Sequence, residues 1–433
     1  MPMIVVVGMQ WGDEGKGKMV DYLAQDVDIV ARWNGGANAG HTVWVGQTKY
    51  VTHLLPSGLP QGKVCVLGGG MVIDPERLLG EIKDFDALKI NTSPRQIMIS
   101  ELAHIVLPTH KALDVAKEAA RGKNAIGTTG QGISFAYRDK EEGRGLEARQ
   151  MRSPHYFGQQ VHQLVELHNQ ELVALGSTPL DADAVANQYE EYAGYLGDHV
   201  CDTSAYLEKS LKNGKTVLAE GAQGTLLDKT YGTVPFVTRS STTTESAPAG
   251  LGVDSEWVTR RIGIAKCFQT RVGEGPMPTE ISDERLANRL RGEKDSPGAE
   301  YGATTGRTRR VGWLDLPLLR YAASINNLDE LVLTKLDILS GLENIKICES
   351  YNYHSPVEKH IHLPIGAITN LYDCIPQYQD MVGWIANEIV CREDLKSLGL
   401  ADSYVKKVER AAGVPVTLVS VGTDRNQVVA RKK

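Results

Sequence analysis

A buried strand that leads directly into a glycine-rich turn and a helix start is the feature that most constrains this chain. Residues 4–7 read Ile-Val-Val-Val, and residues 8–18 continue as Gly-Met-Gln-Trp-Gly-Asp-Glu-Gly-Lys-Gly-Lys. A continuous β-branched run is typical of a parallel strand that is buried on both faces. The glycines allow a tight turn whose backbone N–H groups face an anion. The stretch therefore predicts an α/β fold with a phosphate-binding loop.

The loop fits the general phosphate-loop pattern only in part. From Gly12 the spacing Gly-x-x-x-x-Gly-Lys agrees with the pattern, but Met19 stands where a Ser or Thr usually binds magnesium. Asp13 could supply the metal ligand instead, because magnesium prefers hard oxygen ligands. A glycine turn that merely packs a helix on a strand is the alternative, and the lysines at positions 16 and 18 argue against it.

Composition and charge exclude several classes of protein. The 433 residues contain 47 Lys and Arg against 53 Asp and Glu, and this net charge of −6 gives no sign of nucleic-acid binding. The six cysteines show no Cys-x-x-Cys spacing, so we expect reduced thiols in a cytoplasmic protein. Because the sequence shows neither a signal peptide nor a long apolar run, we expect no membrane segment.

Strands alternate with helices along the chain, which predicts a large, mostly parallel central sheet with helices on both faces. Strands are predicted at 27–31, 63–67, 216–219, 262–268, 331–333 and 416–419. Helices are predicted after the N-caps Asp74 and Thr109, over 154–212 with a break near 176–179, and over 392–412. The segment 154–212 is interpreted as a helical insertion, and the charge-dense run 138–145 as a solvated loop.

Polar, glycine-rich segments follow several of these predicted strands. They are residues 32–42, 127–132, 220–225 and 238–244. Because open α/β sheets bind ligands at the carboxyl ends of their strands, the segments predict one shared site. For His41 a buried, satisfied histidine is the alternative. The run 302–310 carries three arginines suited to carboxylate or phosphate ligands, with an exposed basic loop as its alternative.

The residues Thr334-Lys335-Leu336-Asp337 indicate which base is bound. A carboxylate at a strand end can accept from the N1–H and 2-amino groups of guanine together, a donor pair that adenine lacks. The tetrapeptide is similar to the Asn-Lys-x-Asp motif of GTP-binding proteins, with Thr in place of Asn. Further on, His360 and His362 could bind a metal, although an exposed strand is the favoured interpretation.

Four motifs, at 12–18, 38–42, 220–228 and 302–307, together resemble those of the adenylosuccinate synthetase family. The resemblance implies one domain over 1–433 on a fold related to P-loop GTPases, with the helical insertion at about 154–212 and a guanine-binding part at about 329–433. It also implies a cytoplasmic homodimer with one Mg²⁺ per subunit. The expected reaction joins L-aspartate to IMP at the expense of GTP, through 6-phosphoryl-IMP, and gives adenylosuccinate, GDP and phosphate.

The resemblance assigns roles by matching position. It makes Asp13 the base for the IMP N1 proton and a metal ligand with Gly40, His41 the acid beside the departing GDP, and Gln223 the group that stabilises O6. GTP is expected at Gly12, Glu14, Gly15, Lys16, Gly17, Lys18, Thr42, Arg309, Lys335, Asp337, Ser420 and Gly422. IMP is expected at Asn38, Thr129, Arg144, Gln223, Thr238 and Arg307, and L-aspartate at Ala303, Thr304, Thr305 and Arg307.

Departures from the family pattern leave the purine substrate open. Gly143 stands where family members usually have an arginine that reaches across the dimer to the IMP phosphate, and Arg144 could replace it. Gln131 and Thr308 also stand at family arginine positions. A synthetase for another purine nucleotide such as dGMP is one alternative. A regulatory GTP-binding protein is another, but it would leave the motif at 38–42 unexplained.

Overall fold

The structure, a computed structural model, describes residues 2–45, 48–294, 296, 298–302, 306–353, 368–385, 389 and 398–431. Some of the predictions fall outside these residues. They concern the pair His360 and His362, the aspartate-loop residues Ala303, Thr304 and Thr305, and the helical stretch 392–397.

The described strands include those that the sequence predicts, close to the expected positions, and others that it does not predict. In chain order they are β1 (Met3–Gly8), β2 (Ile29–Arg32), β3 (His41–Val45), β4 (Thr48–Thr52), β5 (Val64–Leu67), β6 (Val72–Ile73), β7 (Ile97–Ser100), β8 (His104–Ile105), β9 (Val200–Cys201), β10 (Val217–Glu220), β11 (Val258–Lys266), β12 (Phe268–Arg271), β13 (Arg310–Asp315), β14 (Glu330–Thr334), β15 (Asn344–Tyr353), β16 (Cys374–Val382), β17 (Val416–Ser420) and β18 (Val428–Ala430).

A ten-stranded sheet in the order β18-β17-β14-β11-β1-β10-β2-β5-β7-β9 forms the centre of the molecule. Every neighbouring pair in it is parallel except β17 with the edge strand β18. The predicted mostly parallel sheet is therefore confirmed. A second sheet, β12-β13-β15-β16, and the hairpin β3-β4 are additions to this core.

Helices cover both faces of the sheet. They are α1 (Lys16–Leu23), α2 (Pro75–Ala87), α3 (Pro108–Ala120), α4 (Ile133–Glu141), α5 (Pro154–Ala174), α6 (Ala182–Leu196), α7 (Thr203–Lys212), α8 (Ser246–Leu251), α9 (Glu284–Arg291), α10 (Leu316–Asn326) and α11 (Leu400–Ala412). Successive residues of a strand face opposite sides. Val5 and Val7 accordingly share a core with α7, α10 and α11, while Ile4 and Val6 pack with α1.

The segment 154–212 is helical, with the break near 176–179 as predicted. Apolar residues of α5 and α6, such as Phe157 and Tyr189, share one buried cluster with Leu67 of β5 and Ile97 of β7. These helices therefore cover one end of the sheet. No helix in the described part of the chain is long and apolar enough to cross a bilayer.

Two local predictions are wrong. Asp74 does cap α2, but α3 begins one residue before Thr109, with Leu107 at the N-cap and Pro108 at the first helical position. The run 138–145 is not a solvated loop, because its first part completes α4 and Asp139 is fully buried. Two buried histidines, His110 and His168, and the partly exposed Arg144 donate hydrogen bonds to the Asp139 carboxylate and replace the water that its charge would otherwise need.

Candidate active site

One cavity of about 610 Å³ opens at the carboxyl ends of β1, β10, β14 and β17. Most of the predicted site residues line it, although they come from distant parts of the chain. They are Gly12, Asp13, Gly15, Lys16, Gly17, Lys18, Asn38, Gly40, His41, Thr42, Thr129, Gln223, Thr238, Arg309, Lys335, Asp337, Ser420 and Gly422. Glu14, Arg144 and Arg307, also predicted as site residues, do not line this cavity.

Glu14 does not face the cavity, because its side chain binds other groups of the loop between β1 and α1. Its carboxylate is fully buried and accepts from the backbone N–H of Gln10 at 3.0 Å, from that of Gly12 at 2.9 Å, and from Lys16 Nζ at 2.5 Å. The side chain of Glu14 therefore serves the loop itself, and GTP binding at this residue stays a prediction. The carboxylate occupies loop donors that an incoming phosphate could take.

Asp13 faces the cavity from the same loop, in a left-handed conformation with φ of 59°. Its Oδ2 lies 3.0 Å from Nε of Arg309, whose guanidinium also binds the carboxylate of Glu300. Arg309 therefore connects the predicted base to a carboxylate that the motifs did not single out.

Glu300 is the centre of a buried ionic cluster. Besides Arg309, it binds Lys335 Nζ at 2.5 Å and Lys266 Nζ at 3.2 Å. Burial alone would raise the pKa of Glu300, but the three cations outweigh burial and lower it below the usual range. The sequence offered no signal for Glu300, since it belongs to no recognised pattern and its partners come from three other segments.

His41 is held by a carboxylate at the end of a strand. Its Nδ1 donates to Oε1 of the fully buried Glu220, which also accepts from Ser57 Oγ at 2.6 Å and from the Ser57 N–H at 2.8 Å. Burial lowers the pKa of His41, and Glu220 opposes this shift. The bond fixes the tautomer and leaves Nε2 for a ligand. The sequence signal for Glu220 was its position, since it is a carboxylate at the end of an apolar strand.

Gln223 lines the same cavity with its amide unsatisfied. Both Oε1 and Nε2 are buried without a hydrogen-bond partner among the described residues, and the backbone adopts a left-handed conformation with φ of 57°. A buried, unpaired amide is costly unless a ligand satisfies it. The side chain therefore marks a polar contact point for a bound molecule.

The far end of the cavity contains the residues predicted to surround guanine. Asp337, Ser420 and Gly422 line it together. Burial raises the pKa of Asp337, and its Oδ1 has no hydrogen-bond partner in the described residues. The Thr334 hydroxyl donates to the Glu14 carbonyl at 2.6 Å, which ties this end to the phosphate loop.

Arg307 and Arg144 do not line the cavity themselves and bind protein groups. The Arg307 guanidinium donates to the carbonyls of Gly127 at 3.1 Å and Thr128 at 2.9 Å, and so supports the loop that presents Thr129. Arg144 Nε donates to Asp139 Oδ1 at 2.9 Å. Gly143, at φ of 73°, ends α4 in the left-handed conformation typical of glycine after a helix.

Asp139 also binds two buried histidines, a group of residues that could be mistaken for a metal site. His110 Nε2 and His168 Nε2 lie 2.8 and 2.7 Å from Asp139 Oδ2. Because His110 Nδ1 accepts from the Leu107 N–H at 2.8 Å, its proton must reside on Nε2, which therefore has no lone pair for a metal. The cluster is a hydrogen-bond network that anchors α4 and Arg144.

A Mg²⁺ ion fits the phosphate end of the cavity. Asp13 offers a partly exposed carboxylate, and Lys16 and Gly40 line the same cavity. Magnesium is commonly bound by one or two protein oxygens together with substrate phosphates, so this sparse donor set suits it.

A phosphate loop, a carboxylate suited to a base edge and an orientated histidine, all in one cavity of a parallel sheet, define a nucleotide-dependent α/β enzyme. The adenylosuccinate synthetase family model matches residues 5–429. An adenylosuccinate synthetase from Desulfatibacillum aliphaticivorans is 43% identical over 100% of this chain and 99% of the relative. The chain therefore belongs to the adenylosuccinate synthetase family.

A solved structure agrees with this assignment, and a second one shares the fold. The fully ligated adenylosuccinate synthetase from Plasmodium falciparum superposes with a TM-score of 0.92 and 34% identity, over 100% of both chains. A cyanophage S-2L succinoaminodeoxyadenylate synthetase, bound to dGMP and dATP, superposes with a TM-score of 0.60 at 20% identity over 100% of this chain and 95% of its own. The second likeness shows the fold alone.

Proposed function

We propose that this chain joins L-aspartate to IMP with GTP as the energy donor and yields adenylosuccinate, GDP and phosphate. The observation that supports the proposal is the composition of one cavity, which is lined by Asp13, His41 and Gln223, by other residues of the loop at 12–18 and by Asp337, whose Oδ1 is buried without a partner among the described residues. These groups suit a purine to be activated, a triphosphate and a guanine base.

The proposed chemistry begins at Asp13, which removes the N1 proton of IMP and increases electron density on O6. O6 attacks the γ-phosphate. The Nε2 group of Gln223, which lacks a partner in this structure, donates a hydrogen bond to that oxygen. His41, already bonded to Glu220 through Nδ1, takes up a second proton at Nε2 beside the bound triphosphate, and this imidazolium stabilises the charge of the departing GDP. The amino group of L-aspartate then displaces phosphate from C6 of the 6-phosphoryl-IMP.

Binding must first separate two ion pairs of this structure. Arg309 has to release Asp13, and Lys16 has to exchange Glu14 for a phosphate oxygen. In both exchanges the arginine or lysine retains an anionic partner, and the buried Glu14 carboxylate keeps the N–H donors of Gln10 and Gly12, so no buried charge loses all its partners. Mg²⁺, held by Asp13 and the Gly40 carbonyl, would neutralise phosphate charge when bound.

The remaining parts of the proposal concern the wider site and the assembly. Asn38, Thr129 and Thr238 would bind the IMP phosphate, and the loop at 303–305 with Arg307 would bind L-aspartate. We further propose a cytoplasmic homodimer. Because Arg144 is held by Asp139 of its own chain, its replacement of the family arginine at Gly143 requires the guanidinium to leave that carboxylate.

A coupled assay tests the proposal. GDP and phosphate release should require both IMP and L-aspartate, and adenylosuccinate should form in equal amount. GTP turnover that ignores either substrate would contradict the proposal, as would a GTP affinity that responds to a partner protein without product. Competition between IMP and dGMP measures the purine preference directly, and family membership leads us to expect IMP.

A further inference from the structure

The lysine that the phosphate-loop pattern assigns to phosphate has different partners in the structure. In the spacing Gly-x-x-x-x-Gly-Lys that begins at Gly12, this lysine is Lys18. Its Nζ donates to Ser420 Oγ at 2.7 Å, to the Gly422 carbonyl at 2.8 Å and to the Gln427 carbonyl at 2.9 Å. An ammonium group has three donors, so these bonds leave none for a phosphate oxygen.

Helix geometry explains why the two lysines of the loop differ. Lys16 and Lys18 both lie in the first turn of α1, and two residues correspond to a rotation of about 200° around a helix axis. Lys16 therefore stays with Glu14 and the loop amides, whereas Lys18 extends to the turn that follows β17. The two side chains therefore have different partners in this structure.

The surroundings of Lys18 belong to the guanine end. Lys18, Asp337, Ser420 and Gly422 all line the cavity, and the Lys18 side chain is buried. Burial lowers the pKa of Lys18 to about 8, and the charges of Asp337 and Asp424 limit this shift. The ammonium is thus a buried cation beside the carboxyl expected to bind guanine.

We infer that Lys18 is a positioning residue for the base. Its ammonium fixes the turn at 420–427 against α1 and so sets the distance between that turn and Asp337, which the guanine ring must fill. Lys18 consequently contributes to base selectivity, and the phosphates are left to Lys16 and the loop amides. The inference rests on the proposed use of GTP.

Calorimetric titration with guanosine, GMP and GDP separates the two roles, because these probes share the base and differ in phosphate. Lys18→Met keeps the aliphatic stem, removes the ammonium and should weaken all three ligands by a similar factor of roughly tenfold or more. The matched variant Lys16→Met should weaken GDP and GMP but leave guanosine unchanged. In turnover, Lys18→Met should also reduce the preference for GTP over ITP, which lacks the 2-amino group.

A loss in Lys18→Met that grows from guanosine to GDP would overturn the inference. If Lys18→Met does not fold, Ser420→Ala allows the same measurement. It keeps the Lys18 ammonium and removes one of its three acceptors. It should weaken all three ligands equally but less, and unchanged affinities would count against the inference. Wild-type protein that binds none of the three would overturn the GTP site itself, and the inference with it.

Discussion

Asp13 and Arg309 form an ion pair across the cavity, with Nε of the arginine 3.0 Å from Oδ2 of the aspartate. The same guanidinium binds the buried carboxylate of Glu300. The proposed base is therefore neutralised by a cation of its own chain. Since Glu300 keeps Arg309 paired, the guanidinium can move away from Asp13 without becoming an isolated buried charge.

Replacement of Asp13 by asparagine should abolish most of the activity without unfolding the protein. Asparagine tolerates the left-handed conformation at this position, so the loop keeps its shape. Loss of a general base lowers turnover by roughly 10² to 10⁴-fold. Steady-state kinetics and a thermal melt test both statements. Turnover near that of the wild type would show that another group removes the proton.

Glu300→Gln should destabilise the protein, because it leaves Lys266, Lys335 and Arg309 around a neutral amide. Removal of one partner from a buried ionic cluster costs roughly 3–5 kcal/mol. Glu280→Gln is the matched control, since Glu280 pairs with Arg310 at the surface and should cost about 0–1 kcal/mol. Urea unfolding measures both variants. Equal losses would mean that the cluster around Glu300 adds no stability beyond that of a surface pair.

Glu220→Gln should lower kcat with little change in the KM for GTP, because the amide no longer stabilises the His41 imidazolium. We expect kcat to decrease by at most the factor that general acid catalysis contributes, roughly 10² to 10⁴. Ser57→Ala is the control, since it removes a hydrogen bond to Glu220 and leaves the histidine pair intact. If Ser57→Ala loses as much turnover as Glu220→Gln, the role of Glu220 is one of packing.

Asp337→Asn should change the preferred base from guanine to xanthine. A carboxylate accepts from N1–H and the 2-amino group of guanine, whereas an amide accepts from N1–H and donates to the 2-oxo group of xanthine. The ratio of kcat/KM for XTP to that for GTP should therefore rise by tenfold or more, on the order of one specific hydrogen bond. An unchanged ratio would exclude Asp337 from base recognition.

Asp315 should make stability depend on pH. It is fully buried and caps α10 through the Leu318 N–H at 3.1 Å, and burial raises its pKa from 3.8 to about 7. The folded state therefore retains a proton that the unfolded chain releases. This contribution is fully present below pH 3.8 and is lost as the pH rises through about 7.

The contribution of Asp315 can be isolated with Asp315→Asn, which keeps an N-cap acceptor but does not titrate. His110 acts in the opposite direction, because burial lowers its pKa to about 4 and favours folding as the pH rises. The difference in unfolding free energy between wild type and variant removes that common background. This difference should decrease as the pH rises from about 4 to about 7. A difference that does not change with pH would refute the role given to Asp315.

Much of the fold could be predicted because its signals are local. The β-branched run at 4–7, the Asp74-Pro75 helix start and the helical periodicity of 154–212 reflect backbone preferences that the surroundings did not override. The prediction that Thr109 caps a helix failed because its hydroxyl lies 2.7 Å from His168 Nδ1, a partner 59 positions away. The prediction of a solvated loop at 138–145 failed because charge density alone does not reveal a buried histidine partner.

The sequence by itself determined the order of strands and helices, the phosphate loop and the residues that gather at the carboxyl ends of the strands, since spacing and local conformation specify these. Only the tertiary structure decided which acceptors bind Lys18, which carboxylate pairs with Arg309 and which donors the Glu14 side chain binds. The Lys18 to Ser420 bond spans 402 positions. Such pairings depend on which segments the sheet brings together and on the cost of leaving a buried charge alone, and no local pattern encodes either.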